Sequence, residues 1–269
     1  MTGEIVFDGA RLRATLFNGD APRLFVSLRQ RIDADGAFDS AQPVRAFTGH
    51  GFAHLHLQSR LNDWFVNDET GALEEALARL SARYEDARGI GFSMGGYGLL
   101  RFARALRLGT AVLVSPQVSI HPDVVPWDRR YRRHAAGFDP VLGDLAQHGS
   151  PAIEGVVLFD PFRPLDRRNA RMICDLHPGL RPARLACGGH PATRVIGQAG
   201  AFGRLQTMLR EGGITSAEVT GLHRGLRRES PLYWRHLSEI AARRGHDALA
   251  DAASARHAAL IAPAPPNPA

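Results

Sequence analysis

Residues 89–98, GIGFSMGGYG, constrain this chain more than any other stretch. Ser93 stands between Gly91 and Gly95, where an apolar run gives way to a helical pattern. In that pattern Tyr97, Leu99, Leu100, Phe102, Ala103 and Leu106 recur at three- and four-residue spacing, with Arg101, Arg104 and Arg107 between them. This predicts a helix with one face on a sheet and an arginine face in solvent. A strand that turns sharply into a helix leaves no room for side chains on either side of the turn, so glycine is needed at both flanking positions. The serine hydroxyl is then held clear at the carboxyl end of the sheet. The Met94 amide opens the helix, where unpaired N–H groups and the helix dipole favour negative charge, and is expected to form half of an oxyanion hole.

The rest of the chain supplies a scaffold for such a turn. Short apolar runs at 5–7, 12–16, 24–28, 53–57, 88–92, 111–114, 156–159 and 184–187 read as strands. Helical patterns at 70–84, 96–106, 165–176 and 193–210 fall between them. This alternation predicts an α/β fold, a mostly parallel central sheet with helices on both faces. One domain is expected over residues 1–212. Within it, 116–150 breaks the alternation and is irregular and rich in proline, arginine and aromatics, as an insertion over a site would be. Residues 213–260 read as a C-terminal helical appendage, ending in a hairpin of two alanine-rich helices around Gly245. A lone helix pair cannot bury its own apolar face, so it should dock on the body, on a protein partner or on a second copy. The proline-rich end, 261–269, is expected to be disordered.

Charge offers a false lead. The net charge of +6 and isoelectric point near 10.2 suggest nucleic acid, yet all 33 basic residues are arginines. They are interleaved with acids, and no recognition motif accompanies them, so no nucleic-acid partner is expected. No segment approaches the roughly 18 uninterrupted apolar residues of a membrane span, and the first residues lack a signal-peptide core. No membrane span and a cytoplasmic location are therefore expected. His54 and His56 alternate with leucines but have no carboxylate or cysteine at ligand spacing, so no metal is expected.

With its strand-turn-helix context, the GFSMG turn resembles the nucleophile elbow of the α/β-hydrolase superfamily, over about residues 5–212. SMGGYG resembles the form found in its esterases, thioesterases and acyltransferases. Together with SRLNDWF (59–65), it is also similar to a bacterial group of such hydrolases associated with glycan or secretion loci. The resemblance implies a Ser-His-Asp triad without a cofactor, in the order serine, acid, histidine. His190, in CGGHP, stands where the family keeps its base. Asp160, in DPFRP directly after a strand, is the expected acid. Asp166 is the alternative, less favoured because an acid at a helix start is already explained by the helix dipole. The second oxyanion donor is expected from the backbone N–H of Arg29 or Gln30, although the usual HGGG-type signature is absent.

Trp64 and Phe65 are candidates for lining an acyl or glycan site, and Arg129 and Arg130 for holding an anionic substrate. The implied chemistry is cleavage of an ester or thioester of a small-molecule or glycan/acyl substrate through a covalent acyl-enzyme. Acyl transfer to a sugar or another alcohol is the alternative within that chemistry. A non-catalytic scaffold is the alternative outside it.

Overall fold

The structure is a computed structural model that describes residues 2–33 and 36–262; most of the expected disordered tail, 263–269, lies outside the described residues. The strands and helices follow in chain order. They are β1 (Glu4–Asp8), β2 (Leu12–Phe17), β3 (Arg23–Leu28), α1 (Arg45–Thr48), β4 (Phe52–Ser59), α2 (Thr70–Ser81), β5 (Asp86–Phe92) and α3 (Met94–Arg101). After them come β6 (Thr110–Val114), α4 (Leu145–His148), β7 (Glu154–Phe159), α5 (Pro164–Leu176), β8 (Leu180–Arg184), α6 (Arg194–Gln198), α7 (Phe202–Glu211), α8 (Ser216–Leu226), α9 (Pro231–Arg243) and α10 (Asp247–Ile261).

The eight strands form one sheet in the order β1-β2-β4-β3-β5-β6-β7-β8. Among the described residues, β1 with β2 and β2 with β4 pair antiparallel, and every pair from β4 to β8 is parallel. Parallel strands need crossovers, and the helices that supply them bury apolar side chains on both faces. On one face Leu73 and Leu77 of α2, Leu99 and Leu100 of α3 and Ile173 of α5 join a core with Leu28, Leu55 and Val157. On the other, Phe47 of α1, Leu205 and Leu209 of α7 and Val219 of α8 pack with Phe25, Val112 and Leu158.

Three sequence expectations are corrected. The last strand runs over Leu180–Arg184 and not 184–187. It contains Pro182, which lacks an N–H but is tolerated because β8 is the edge of the sheet. Residues 185–188 form the turn beyond it, closed by the Gly188 N–H on the Leu185 carbonyl. Helix α3 stops at Arg101, short of the expected 106, and all eight of its residues are buried, including Arg101, while Arg104 and Arg107 beyond it are exposed as expected. The segment between β6 and β7 covers the helix. Arg101 Nε donates to the Leu142 carbonyl (2.6 Å), and the Tyr97 hydroxyl donates to the Gly143 carbonyl (2.6 Å). Finally, the helix expected over 193–210 is broken by Gly200 (φ 65°) into α6 and α7.

The C-terminal pair α9 and α10 is present as a helical hairpin, and α9 is docked on the body. His236 Nδ1 donates to the Cys187 carbonyl (2.9 Å), in the turn after β8, and Ser230 Oγ donates to Gln198 of α6 (2.6 Å).

Candidate active site

The site is assembled at the carboxyl ends of β5, β6, β7 and β8. After β5 the chain passes through Ser93 at φ 48°, ψ −117°, a strained region for a residue with a side chain. The two glycines explain how it is held. A Cβ on Gly91 would lie 2.6 Å from both Gly95 O and Gly96 Cα, and one on Gly95 would lie 2.7 Å from Leu28 O. Both contacts are with backbone, which cannot move aside. Ser93 is therefore presented by close approach of β5, α3 and the loop after β3.

His190 reaches Ser93 from the turn after β8. Its Nε2 lies 3.2 Å from Ser93 Oγ, and its Nδ1 lies 2.8 Å from Asp166 Oδ2. The Nδ1 proton belongs on the side of the carboxylate, which leaves Nε2 to accept from the serine. Asp166 is fully buried at the start of α5 and is also paired with Arg130, which forks onto Asp128 through Nε and Nη2 (2.9 and 2.7 Å). Burial alone would raise the Asp166 pKa. The hydrogen bond and charge of His190, together with the Arg130 guanidinium, outweigh it and hold the carboxyl below its usual value.

The acid beside His190 is thus Asp166, not the favoured Asp160. Asp160 faces backbone instead. Its Oδ1 accepts from the amides of Phe162 (3.0 Å) and Cys187 (3.2 Å), and its Oδ2 accepts from the Gly189 amide (2.9 Å). It ties the end of β7 to the turn that carries His190. The physical reason is reach: the first turn of α5 carries Asp166 back over the sheet end, while Asp160 is taken up by the turn itself.

The hydroxyl of Ser93 has a further neighbour in Gln117, fully buried just past β6. The Gln117 carboxamide accepts from Trp64 Nε1 (3.0 Å) and donates to Ser115 O (3.1 Å) and Ser93 Oγ (3.3 Å). Tyr131 packs on Trp64 with ring centroids 4.7 Å apart. Burial raises the pKa of its phenol, while Arg130 and an interaction with the Ser93 hydroxyl work in the other direction.

For an oxyanion, the Met94 amide opens α3 and so lacks an intrahelical acceptor. Of the two expected partners, Arg29 is excluded because its amide donates to Leu57 O (2.9 Å) and extends the ladder to β4. The Gln30 amide has no acceptor among the described residues and follows the loop that abuts Gly95.

No protein-family model matches the sequence, and no curated protein matches it either. Solved structures do. The capsule O-acetyltransferase of Neisseria meningitidis serogroup A superposes with a TM-score of 0.52 at 12% identity, over 75% of this chain and 93% of that one. A histidine-to-alanine mutant of the same enzyme, in complex with CoA, gives 0.53 at 11% identity, over 74% and 93%. Fluorophosphonate-binding serine hydrolase F of Staphylococcus aureus gives 0.48 at 14%, over 77% and 96%. The chain has the α/β-hydrolase fold.

On that α/β-hydrolase frame, the other expected residues fall in different places. Trp64 touches the site through Gln117, but Phe65 does not line it. Phe65 is fully buried behind α3, edge-on to Phe102 (ring centroids 6.4 Å apart) and so close to Gly98 that a Cβ there would lie 2.6 Å from its ring. Both Trp64 (φ 55°) and Phe65 (φ 60°) are left-handed. Asp63 fixes this turn by accepting from Ser59 Oγ (2.7 Å), Phe65 N (3.0 Å) and Asn67 Nδ2 (2.7 Å). The SRLNDWF stretch thus works as a brace for Trp64.

Arg130 serves Asp166 and Asp128 and is not free for a substrate, whereas Arg129 is exposed. Sequence reasoning missed Gln117, Tyr131, and the pairing of His223 (Nε2 to Ala186 O, 2.9 Å) and His236 with the turn before His190. Only Gln117 carried a signal, since it lies just past the carboxyl end of a core strand, where sites in such sheets gather. His54 and His56 share the Ser27 hydroxyl at 2.8 Å each, and no cluster able to hold a metal occurs among the described residues.

Proposed function

We propose that this protein is a serine hydrolase that cleaves a carboxylic ester or thioester through a covalent acyl-enzyme. The observation that carries the reading is the unbroken Ser93–His190–Asp166 chain of hydrogen bonds on a glycine-flanked elbow. Ser93 Oγ attacks the acyl carbon as His190 Nε2 takes its proton, and Asp166 stabilises the imidazolium that results. The amides of Met94 and Gln30 receive the negative charge on the carbonyl oxygen. Collapse breaks the bond to the leaving oxygen or sulfur, which takes the proton from His190. Water, deprotonated by His190, then attacks the acyl-enzyme, releasing the carboxylic acid and restoring Ser93.

Asp160 acts in this scheme as a positioning residue for the His190 turn. Gln117 orients the Ser93 hydroxyl, and Trp64 with Tyr131 forms the wall of the acyl site. Transfer to a sugar or other alcohol differs only in the group that attacks the acyl-enzyme. The likeness to a capsule O-acetyltransferase supports keeping that second reading.

The test is turnover of p-nitrophenyl esters and labelling by a fluorophosphonate probe, in wild type and Ser93→Ala. Wild type should label and turn over. The variant should keep its circular dichroism spectrum and lose both activities, by at least about 10³-fold in turnover. Ester turnover retained by folded Ser93→Ala would overturn the assignment.

A further inference from the structure

Beside the site lies a pocket of about 450 Å³ lined by Tyr131, His134 and the five arginines Arg31, Arg129, Arg130, Arg132 and Arg133. No carboxylate is among its lining residues that the structure describes. Arg130 is occupied by Asp128 and Asp166, but the other four arginines are poorly compensated. Among the described residues, Arg31 donates to the Ile32 carbonyl (3.3 Å) and its one ion pair is with the fully exposed Asp33, at 3.7 Å. Arg132 donates to the Pro126 carbonyl (3.1 Å), while its buried Nε has no partner among the described residues. Arg129 and Arg133 are exposed and make no ion pair or side-chain hydrogen bond among the described residues. Like charges gathered without counter-charge repel one another, and a bound polyanion removes that cost. Guanidinium groups match the oxygen geometry of phosphate through paired N–H donors.

One side chain bridges the pocket and the nucleophile, since the Tyr131 phenol interacts with the Ser93 hydroxyl. Tyr131 lines the pocket and packs on Trp64, whose indole N–H shares Gln117 with Ser93. We infer that this pocket holds the diphosphate of an acyl donor whose leaving group is phosphorylated. This rests on Ser93 being the nucleophile: its oxygen forms the new bond to the acyl carbon, and the phosphate-bearing alcohol or thiol departs with the proton from His190. A carboxylate-rich glycan is the competing anion. It is disfavoured because its charges are spread along a chain, while these arginines surround one compact volume.

The experiment is a titration of inorganic pyrophosphate into the Ser93→Ala protein, followed by calorimetry and by tryptophan fluorescence. The same titration is run on Ser93→Ala carrying Arg129→Glu and Arg133→Glu, both at exposed positions where folding is not at stake. Pyrophosphate should bind, more weakly as salt is raised, and the charge reversals should weaken it at least tenfold. Unchanged affinity in the reversed variant, or tighter binding of polygalacturonate than of pyrophosphate, would overturn the inference. Because no turnover is needed, the titration decides the pocket separately from the ester assay that decides Ser93.

Discussion

The elbow at Ser93 and the turn at His190 meet across 3.2 Å, yet they are held in opposite ways. The elbow is held by absence. Gly91 and Gly95 let β5, α3 and the loop after β3 close to distances no side chain would permit, and all the requirements lie within five residues. The His190 turn is held by remote polar groups: Asp160 on two of its amides, His223 and His236 on the carbonyls of Ala186 and Cys187, and Ser115 Oγ accepting from the Ala192 amide (3.1 Å). Asp166 and Arg130 then fix the imidazole itself. A steric requirement is thus written locally, while an electrostatic one is spread over the fold.

The elbow is the first place to challenge this contrast. Gly91→Ala and Gly95→Ala each push a methyl into backbone and should cost about 3 kcal/mol, the upper end of the usual overpacking range, read as a fall in the urea midpoint or loss of soluble protein. A change under about 1 kcal/mol in either, small beside that overpacking cost, would show that the elbow relaxes. Asp160→Ala addresses the other region. It leaves buried amides of Cys187 and Gly189 without an acceptor, at about 1–3 kcal/mol for each. Turnover should fall with the loosened turn, and in Asp160→Glu, where a carboxylate is restored, part of the loss in kcat should return while KM stays near its wild-type value. Identical loss of kcat in both variants would contradict a positioning role.

Acid acts through the sheet beneath both regions. Burial, reinforced by repulsion from His56 once that ring is protonated, lowers His54 to a pKa of about 3, and burial with Arg29 nearby lowers His56 to about 4. Both are neutral in the fold and protonate in the unfolded chain below about 6.5. The unfolded state therefore binds more protons as pH falls, and stability should drop from about pH 6.5 toward pH 4 by up to about 1.4 kcal/mol per unit for each histidine. Replacing both by glutamine should flatten that slope. A slope unchanged in the double variant would assign the acid sensitivity elsewhere. Gly203→Ala serves as the control for the glycine substitutions: on the surface of α7 with nothing within 4 Å, it should be neutral or stabilise by up to about 1 kcal/mol.

This contrast also decides what could be read from the sequence. The alternating strands and helices, the elbow and His190 were legible because they depend on residue type at fixed local spacing. The limits of β8 were not, because Pro182 argues against a strand unless its edge position is known. The burial of Arg101 was equally hidden, since it depends on Leu142 and Glu74 far along the chain. The choice between Asp160 and Asp166 was legible only as a pair. Both follow β7, and only the direction of the first turn of α5 separates the one that meets His190 from the one that holds its turn.

The most direct measurement is the pre-steady-state rate of p-nitrophenol release from p-nitrophenyl acetate in wild type, Asp166→Asn and Asp160→Asn, with unfolding midpoints taken on the same samples. A relay through Asp166 predicts that Asp166→Asn slows acylation by about 10³–10⁴-fold, because the histidine loses its tautomer and its counter-charge. It predicts that Asp160→Asn retains acylation within about tenfold and is seen chiefly in stability. Fast acylation in Asp166→Asn together with slow acylation in stably folded Asp160→Asn would contradict it.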